Sequence, residues 1–191
     1  LSAGGDAAMA ILATHISAAA GAMTWMFYEW VKFGKPTALG SVTGMVAGLG
    51  TITPASGFVG PAGALVIGII AGAVCFNAVI IIKQKFKIDD SLDVFPVHGV
   101  GGICGTILVG FFASKELGIF SGQGGWSREA IVISDQLQIQ LTAVVATALY
   151  TAIATFVILK IVDVVTGLRV DSQTETQGLD LDSHGETGYN L

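Results

Sequence analysis

Five apolar runs succeed one another along this chain: Ala8 to Val31, Ala38 to Thr53, Gly60 to Ile82, Val94 to Ala113 and Ile131 to Val165. A helix needs about 20 residues to cross a hydrocarbon core, and only a structure that closes its own backbone hydrogen bonds tolerates that environment. The runs therefore predict an all-α membrane protein, with residues 1–168 as the transmembrane region and 169–191 as a separate polar tail. The second run is short and ends at Thr53-Pro54. The fifth is long and opens on the polar stretch Asp135-Gln136-Leu137-Gln138, expected to project from the membrane or to pack against protein. Only 12% of the 191 residues are charged, against about a quarter in soluble domains, too few to cover a water-soluble globule of this size. The 26 glycines lie inside Val/Ile/Ala runs without a G-X-Y period, which excludes collagen and disorder.

The charges divide unevenly. Beyond Leu168, five acids (Asp171, Glu175, Asp180, Asp182 and Glu186) face the single basic Arg169, so the tail carries all but one unit of the formal net charge of −5. No basic footprint for nucleic acid is present, and the tail would not adsorb to anionic lipid by charge. Lys32 and Lys35 follow the first run, Lys83, Lys85 and Lys87 the third, and Lys160 and Arg169 close the fifth, while the other side holds Lys115 and Arg128. The positive-inside rule then places the N-terminus outside and the tail in the cytoplasm of a cell membrane. Trp25, Tyr28 and Trp30 at the end of the first run are expected as interfacial anchors. Cys75 and Cys104, each in an apolar run, read as small buried hydrophobes rather than a disulfide or metal pair. The start at Leu1, without Met or signal peptide, is expected to lie within a longer protein.

The glycines are spaced for helix packing. Gly40, Gly44 and Gly48 make two GxxxG steps, Gly60, Ala64, Gly68 and Gly72 continue the pattern in the third run, and Gly101 with Gly105 repeats it. Such stripes let backbones approach closely and predict a tight bundle.

The chemistry concentrates in Asp89-Asp90-Ser91-Leu92-Asp93-Val94-Phe95-Pro96-Val97-His98-Gly99. Ser91 or Asp93 can cap a helix whose first turn accommodates Pro96, because proline lacks an amide hydrogen that would be unsatisfied there. Eight residues of helix from Asp90 advance the chain about 12 Å, which carries His98 toward mid-membrane. An ionisable side chain at that depth is a functional-site candidate. Neutral imidazole offers one donor and one acceptor, so His98 could line a path for a small neutral molecule, shuttle a proton or make an interhelical hydrogen bond. Metal binding is disfavoured, since no second His, Cys or carboxylate lies at ligand spacing on the same helix. His15, in Thr14-His15-Ile16-Ser17, is expected to make a structural hydrogen bond. No intramembrane Ser-His, paired Asp or HExxH arrangement supports a hydrolase.

The strings D-D-S-L-D-V-F-P-V-H-G-V-G-G-I-C-G at 89–105, G-T-I-T-P-A-S-G-F-V-G at 50–60, G-L-R-V at 167–170 and G-L-D-L-D-S-H-G-E-T-G-Y at 178–189 resemble the ammonium transporter family (Amt/Mep/Rh), in the family's order and over nearly the whole chain. The resemblance implies helices seven to eleven of an eleven-helix, inverted-repeat bundle that assembles as a homotrimer with one pore per protomer. It implies that His98 is the second histidine of a twin-histidine pair, whose partner, aromatic gate and outer ammonium site lie in the other half. Val94 then resembles a pore-lining position on the cytoplasmic side of the histidine, and Thr43 stands where many members have Ser. Asp90 and Asp93 match acidic positions that cap and hold the pore helix.

The family chemistry is ammonium recognised outside and deprotonated, with ammonia conducted past the histidines and the proton relayed separately, since a bare cation would face a prohibitive barrier. An ammonium sensor on the same scaffold is the alternative. By resemblance the tail, through Gly178, Asp180, His184, Gly185 and Tyr189, docks on the cytoplasmic face where a PII-type protein regulates bacterial-type members. Neither an enzyme activity nor a cofactor is implied.

Overall fold

The computed structural model describes residues 3–120 and 132–188. The described residues form helices α1 (Gly5–Phe33), α2 (Ala38–Ile52), α3 (Pro61–Ile80), α4 (Gly101–Phe112), α5 (Ile133–Val165) and α6 (Ser172–Gln177). Three π-helical turns accompany them: Ile81–Lys85 extends α3, Phe95–Val100 leads into α4, and Asp180–His184 follows α6. Four helical segments, Gly5–Phe33, Pro61–Lys85, Phe95–Phe112 and Ile133–Val165, are long and apolar enough to cross a membrane, while α2 with 15 residues is shorter. The protein is thus an all-α membrane protein.

The chain divides into two compact units, residues 1–144 and 145–191. In the first, α1 packs along both α2 and α3. Gly34 ends α1 in the left-handed region at φ 82°, where a side chain is strained, and its N–H closes the helix on the Trp30 carbonyl at 3.0 Å. Pro61 opens α3, where its missing N–H costs nothing.

Within the glycine stripes, Gly44, Gly48, Gly68, Gly72 and Gly105 face their neighbours' backbones. A Cβ on Gly48 of α2 or on Gly68 of α3 would overlap the carbonyl oxygen of Ser17, so α1 meets both helices at one point. The Ser17 hydroxyl, fully buried, donates to the Gly48 carbonyl at 2.9 Å and is thereby satisfied. In the same way Gly105 of α4 lies over the Thr51 carbonyl of α2. Apolar side chains fill the rest in two clusters, one around Ile52, Val59 and Ile67 and the other around Trp25, Cys75, Phe76 and Val97.

Trp25 departs from its expected role as an interfacial anchor. It is 4% exposed and stands edge-on to Phe76, ring centroids 5.3 Å apart, because glycine at 44 leaves room for its Cβ. Trp30 is 65% exposed and free to serve as an anchor. Cys75 is buried, Cys104 half-buried, and both are free thiols. In the polar opening of α5, Leu137 lies against Gly110, with Gln140 beside it, while Asp135 and Gln138 are exposed.

In the second unit, Asp171 caps α6 by accepting the Gln173 and Thr174 N–H groups, each at 2.9 Å. Arg169 clasps Glu175 through two hydrogen bonds of 3.1 and 2.6 Å. The Thr174 and Gln173 amides hold the Asp171 carboxyl below the usual range, and the Arg169 hydrogen bonds and charge do the same for Glu175. A depressed carboxyl stabilises the fold fully above its unfolded value and loses that contribution as pH falls through its folded value. Amide protection across α6 is therefore expected to hold at about pH 6 and to fade below about pH 4. Hydrogen exchange of residues 171–178 checks this; protection unchanged at about pH 3 would contradict it.

Candidate functional site

The turn Asp89–Val94 sets where the helix carrying His98 begins. Both carboxylate oxygens of Asp90 accept backbone N–H groups, Val94 at 2.9 Å and Phe95 at 2.8 Å, which satisfies donors that no preceding turn could. This corrects the expectation that Ser91 or Asp93 is the cap. Ser91 donates instead to Asp89 Oδ1 at 3.2 Å. Asp93 occupies the turn itself in the left-handed region, φ 55°, uncommon for a residue with a Cβ. Its carboxylate pairs with Lys83 Nζ at 2.9 Å, tying the start of the helix to the π-turn that extends α3. That pair is partly exposed, so its worth is about 0–1 kcal/mol and its value lies in placement.

Pro96 and Val97 are buried, whereas Val94 and His98, four residues apart and so on one face, are both exposed in this chain. Residues Phe95–Val100 wind as π-helix, a local widening that recurs at functional sites. Gly50 of α2 borders the His98 ring: a Cβ there would stand 4.0 Å from His98 Nδ1 and 3.7 Å from the Val97 carbonyl. On the other side Gly101 fits against Thr51 Oγ1 and Cys75 Sγ, at 3.0 and 3.3 Å from its would-be Cβ. His98 therefore rides on a helical discontinuity seated in small residues of α2.

A cavity of about 370 Å³ lies at the end of the unit that holds the α1–α2 join, lined among others by Glu29, Thr37, Thr43, Phe76, Lys83 and Asp93. Thr43 and Asp93 thus share one space, while His98, Val94 and Asp90 are not among its lining residues. Thr43 Oγ1 donates to the Leu39 carbonyl at 2.9 Å, leaving its lone pairs toward solvent or ligand. Of these residues, Glu29, Thr37 and Phe76 carry no role in the reading of the sequence, and Lys83 enters it only through the charge asymmetry that sets orientation. Glu29, 8% exposed, carried a signal in retrospect, as a carboxyl within an apolar run. His15 places Nδ1 2.9 Å from the Ile11 carbonyl, a structural contact within α1.

In the tail, Gly178 ends α6 at φ 101°, and Asp180 and His184 open and close the π-turn that Gly185 terminates at φ 65°. Tyr189 lies outside the described residues.

An apolar helical bundle with an ionisable residue at a π-helical turn defines a polytopic membrane protein. Residues 1–189 match the Ammonium Transporter Family, and the chain belongs to that family. It is 44% identical over 97% of its length to an ammonium transporter of Bacillus subtilis, and 44% identical over its full length to one of Aquifex aeolicus. The chain spans about half the length of these curated relatives, 45% and 44%. Among solved structures it resembles a sensor Amt protein (28% identity, TM-score 0.81, covering 96% of this chain and 43% of that one). It also resembles Mep2 of Saccharomyces cerevisiae (35% identity, TM-score 0.70, covering 84% and 38%).

Proposed function

We propose that this chain supplies one half of the conduction path of an ammonium transporter in the cell membrane, with the N-terminal end outside and the tail in the cytoplasm. The observation that carries the reading is His98, an ionisable ring at a π-helical break in the apolar segment Phe95–Phe112, bordered by Gly50 of α2. His98 pairs with a second histidine supplied outside this chain, and the two pass ammonia while relaying its proton. Val94 lines the same face one turn earlier, and Thr43 faces the exit cavity. Asp90 and Asp93 hold the helix start. The assembly is a homotrimer, and the tail from Gly178 through Tyr189 meets a PII-type regulator.

The test is reconstitution of the protein, as its own cell produces it, on supported membranes. An ammonium step is expected to give an inward current that sodium and potassium steps do not; no ammonium-specific current would overturn the transport reading. Truncation after Gly178 is expected to abolish regulator binding while the helical bundle still folds, and unchanged binding would remove the tail's role.

The likeness to a structure titled a sensor Amt protein favours a second reading, in which the same pore reports ammonium instead of conducting it. Ammonium binding without any current would select that reading.

A further inference from the structure

Glu29 is a carboxyl group on an apolar helix, nine-tenths buried, and the conduction chemistry above makes no use of it. Its Oε2 accepts the backbone N–H of Thr37 at 2.7 Å, and the Thr37 hydroxyl lies 3.1 Å from both carboxyl oxygens. Thr37 is the N-cap of α2, and its Oγ1 in turn accepts the Gly40 N–H at 2.9 Å. Together these bonds reproduce the reciprocal pattern of a capping box, in which the N-cap side chain serves the third helical residue and an acid there serves the N-cap amide. Here the third helical residue is Gly40, which has no side chain, and the acid comes from the preceding helix. A Cβ on Gly40 would overlap the Glu29 carboxyl group, so the glycine makes the space that Glu29 fills. No acid stands in the first turn of α2 itself, and Glu29 also supplies the negative group that a helix N-terminus favours.

Helix α2 is the element for which such a device matters. With 15 residues it is too short for the bilayer to fix its ends, so its caps set its axial register. The same helix carries Thr43 in the cavity, Gly50 beside the His98 ring and Thr51 beneath Gly101 and Gly105. Gly50 lies thirteen residues beyond the cap, about 20 Å along a continuous helix, and any slip at Thr37 is passed on to the seat of His98. We infer that Glu29 is a positioning residue for transport: it completes the capping box of α2 in trans and thereby holds Gly50 and Thr51 in register with the His98 turn. This rests on the transport reading.

Three variants in the reconstituted protein test it, with methylammonium uptake and amide exchange as readouts. Glu29→Ala is expected to speed exchange across residues 37–43 and to lower maximal uptake per folded molecule by about tenfold, the factor one lost cap corresponds to. The half-saturating concentration should stay unchanged, because Glu29 does not meet the substrate as it enters; a purely structural role would lower the amount of folded protein and leave turnover per molecule alone. Glu29→Gln keeps an acceptor for the Thr37 amide and a donor for its hydroxyl, and is expected to stay near wild type. The double variant Glu29→Ala/Gly40→Glu moves the acid to its usual place in the box, in space that the alanine vacates, and is expected to restore both slow exchange and turnover. Unchanged exchange in Glu29→Ala would overturn the clasp. Faster exchange with unchanged turnover, or a double variant that regains neither, would overturn the positioning role. A wild-type protein that takes up no methylammonium would sink the transport reading and the positioning role with it, while the exchange pattern would still report the clasp.

Discussion

Replacing His98 with Ala is expected to lower the ammonium-driven current per molecule by about tenfold or more, equivalent to about 1.4 kcal/mol or more of lost barrier stabilisation, or to reroute it into an unselective leak. The substitution keeps a helix-forming residue, so the turn between Asp90 and α4 should survive it. What disappears is the imidazole, which can accept one proton and donate another, and on which the proposed relay rests. Solid-supported membrane currents with ammonium, sodium and potassium steps measure both size and selectivity. An undiminished, equally selective current would remove His98 from the mechanism. His15→Ala is the matched control: that ring is bonded within its own helix to the Ile11 carbonyl, and current should stay near wild type.

The second large effect concerns the bundle. Gly48→Val is expected to destabilise the protein by about 1–3 kcal/mol or more, the range for forcing added carbon into a packed interior. The new Cβ meets the Ser17 carbonyl, a backbone atom that cannot rotate aside, and separating α1 from α2 also breaks the Ser17–Gly48 hydrogen bond. Relief would have to come from moving whole helices, and Gly68 of α3 meets the same carbonyl. Thermal unfolding in detergent should show a clear drop in midpoint, with Gly57→Val unchanged, since nothing lies within 4 Å of a Cβ there. Equal midpoints for the two variants would contradict the close-contact account.

Much of the fold was legible because length and apolarity decide what crosses a membrane, and because glycine at a spacing of four has few other uses in an apolar helix. His98 stood out for the same reason, as an ionisable group among Val, Phe and Gly. Other features needed coordinates. The residues alone pointed to Ser91 or Asp93 as the cap, and only the resemblance pointed to Asp90; a left-handed residue at Asp93 turns the chain so that Asp90 faces the amides. Trp25 read as an anchor because aromatic position along a span says nothing about which side a neighbouring helix occupies. Glu29 escaped notice because its partner lies eight residues away across a helix end, where only the Gly34 reversal brings the two together. The wide turn at Phe95–Val100 is invisible to any reading that assumes 3.6 residues per turn.

That wide turn has a consequence for how the chain tolerates changes in length. A π-turn holds one residue more than an α-turn over nearly the same rise, and each residue of an α-helix advances the side-chain bearing by about 100°. The azimuth of His98 relative to α4 is accordingly set by a residue count as much as by residue identity. Deleting one residue between Asp90 and Gly101 could leave both ends of the segment at their present depth and still swing the imidazole away from Gly50. In this segment chain length acts as an angular setting, and its sequence is expected to accept substitutions more readily than insertions or deletions.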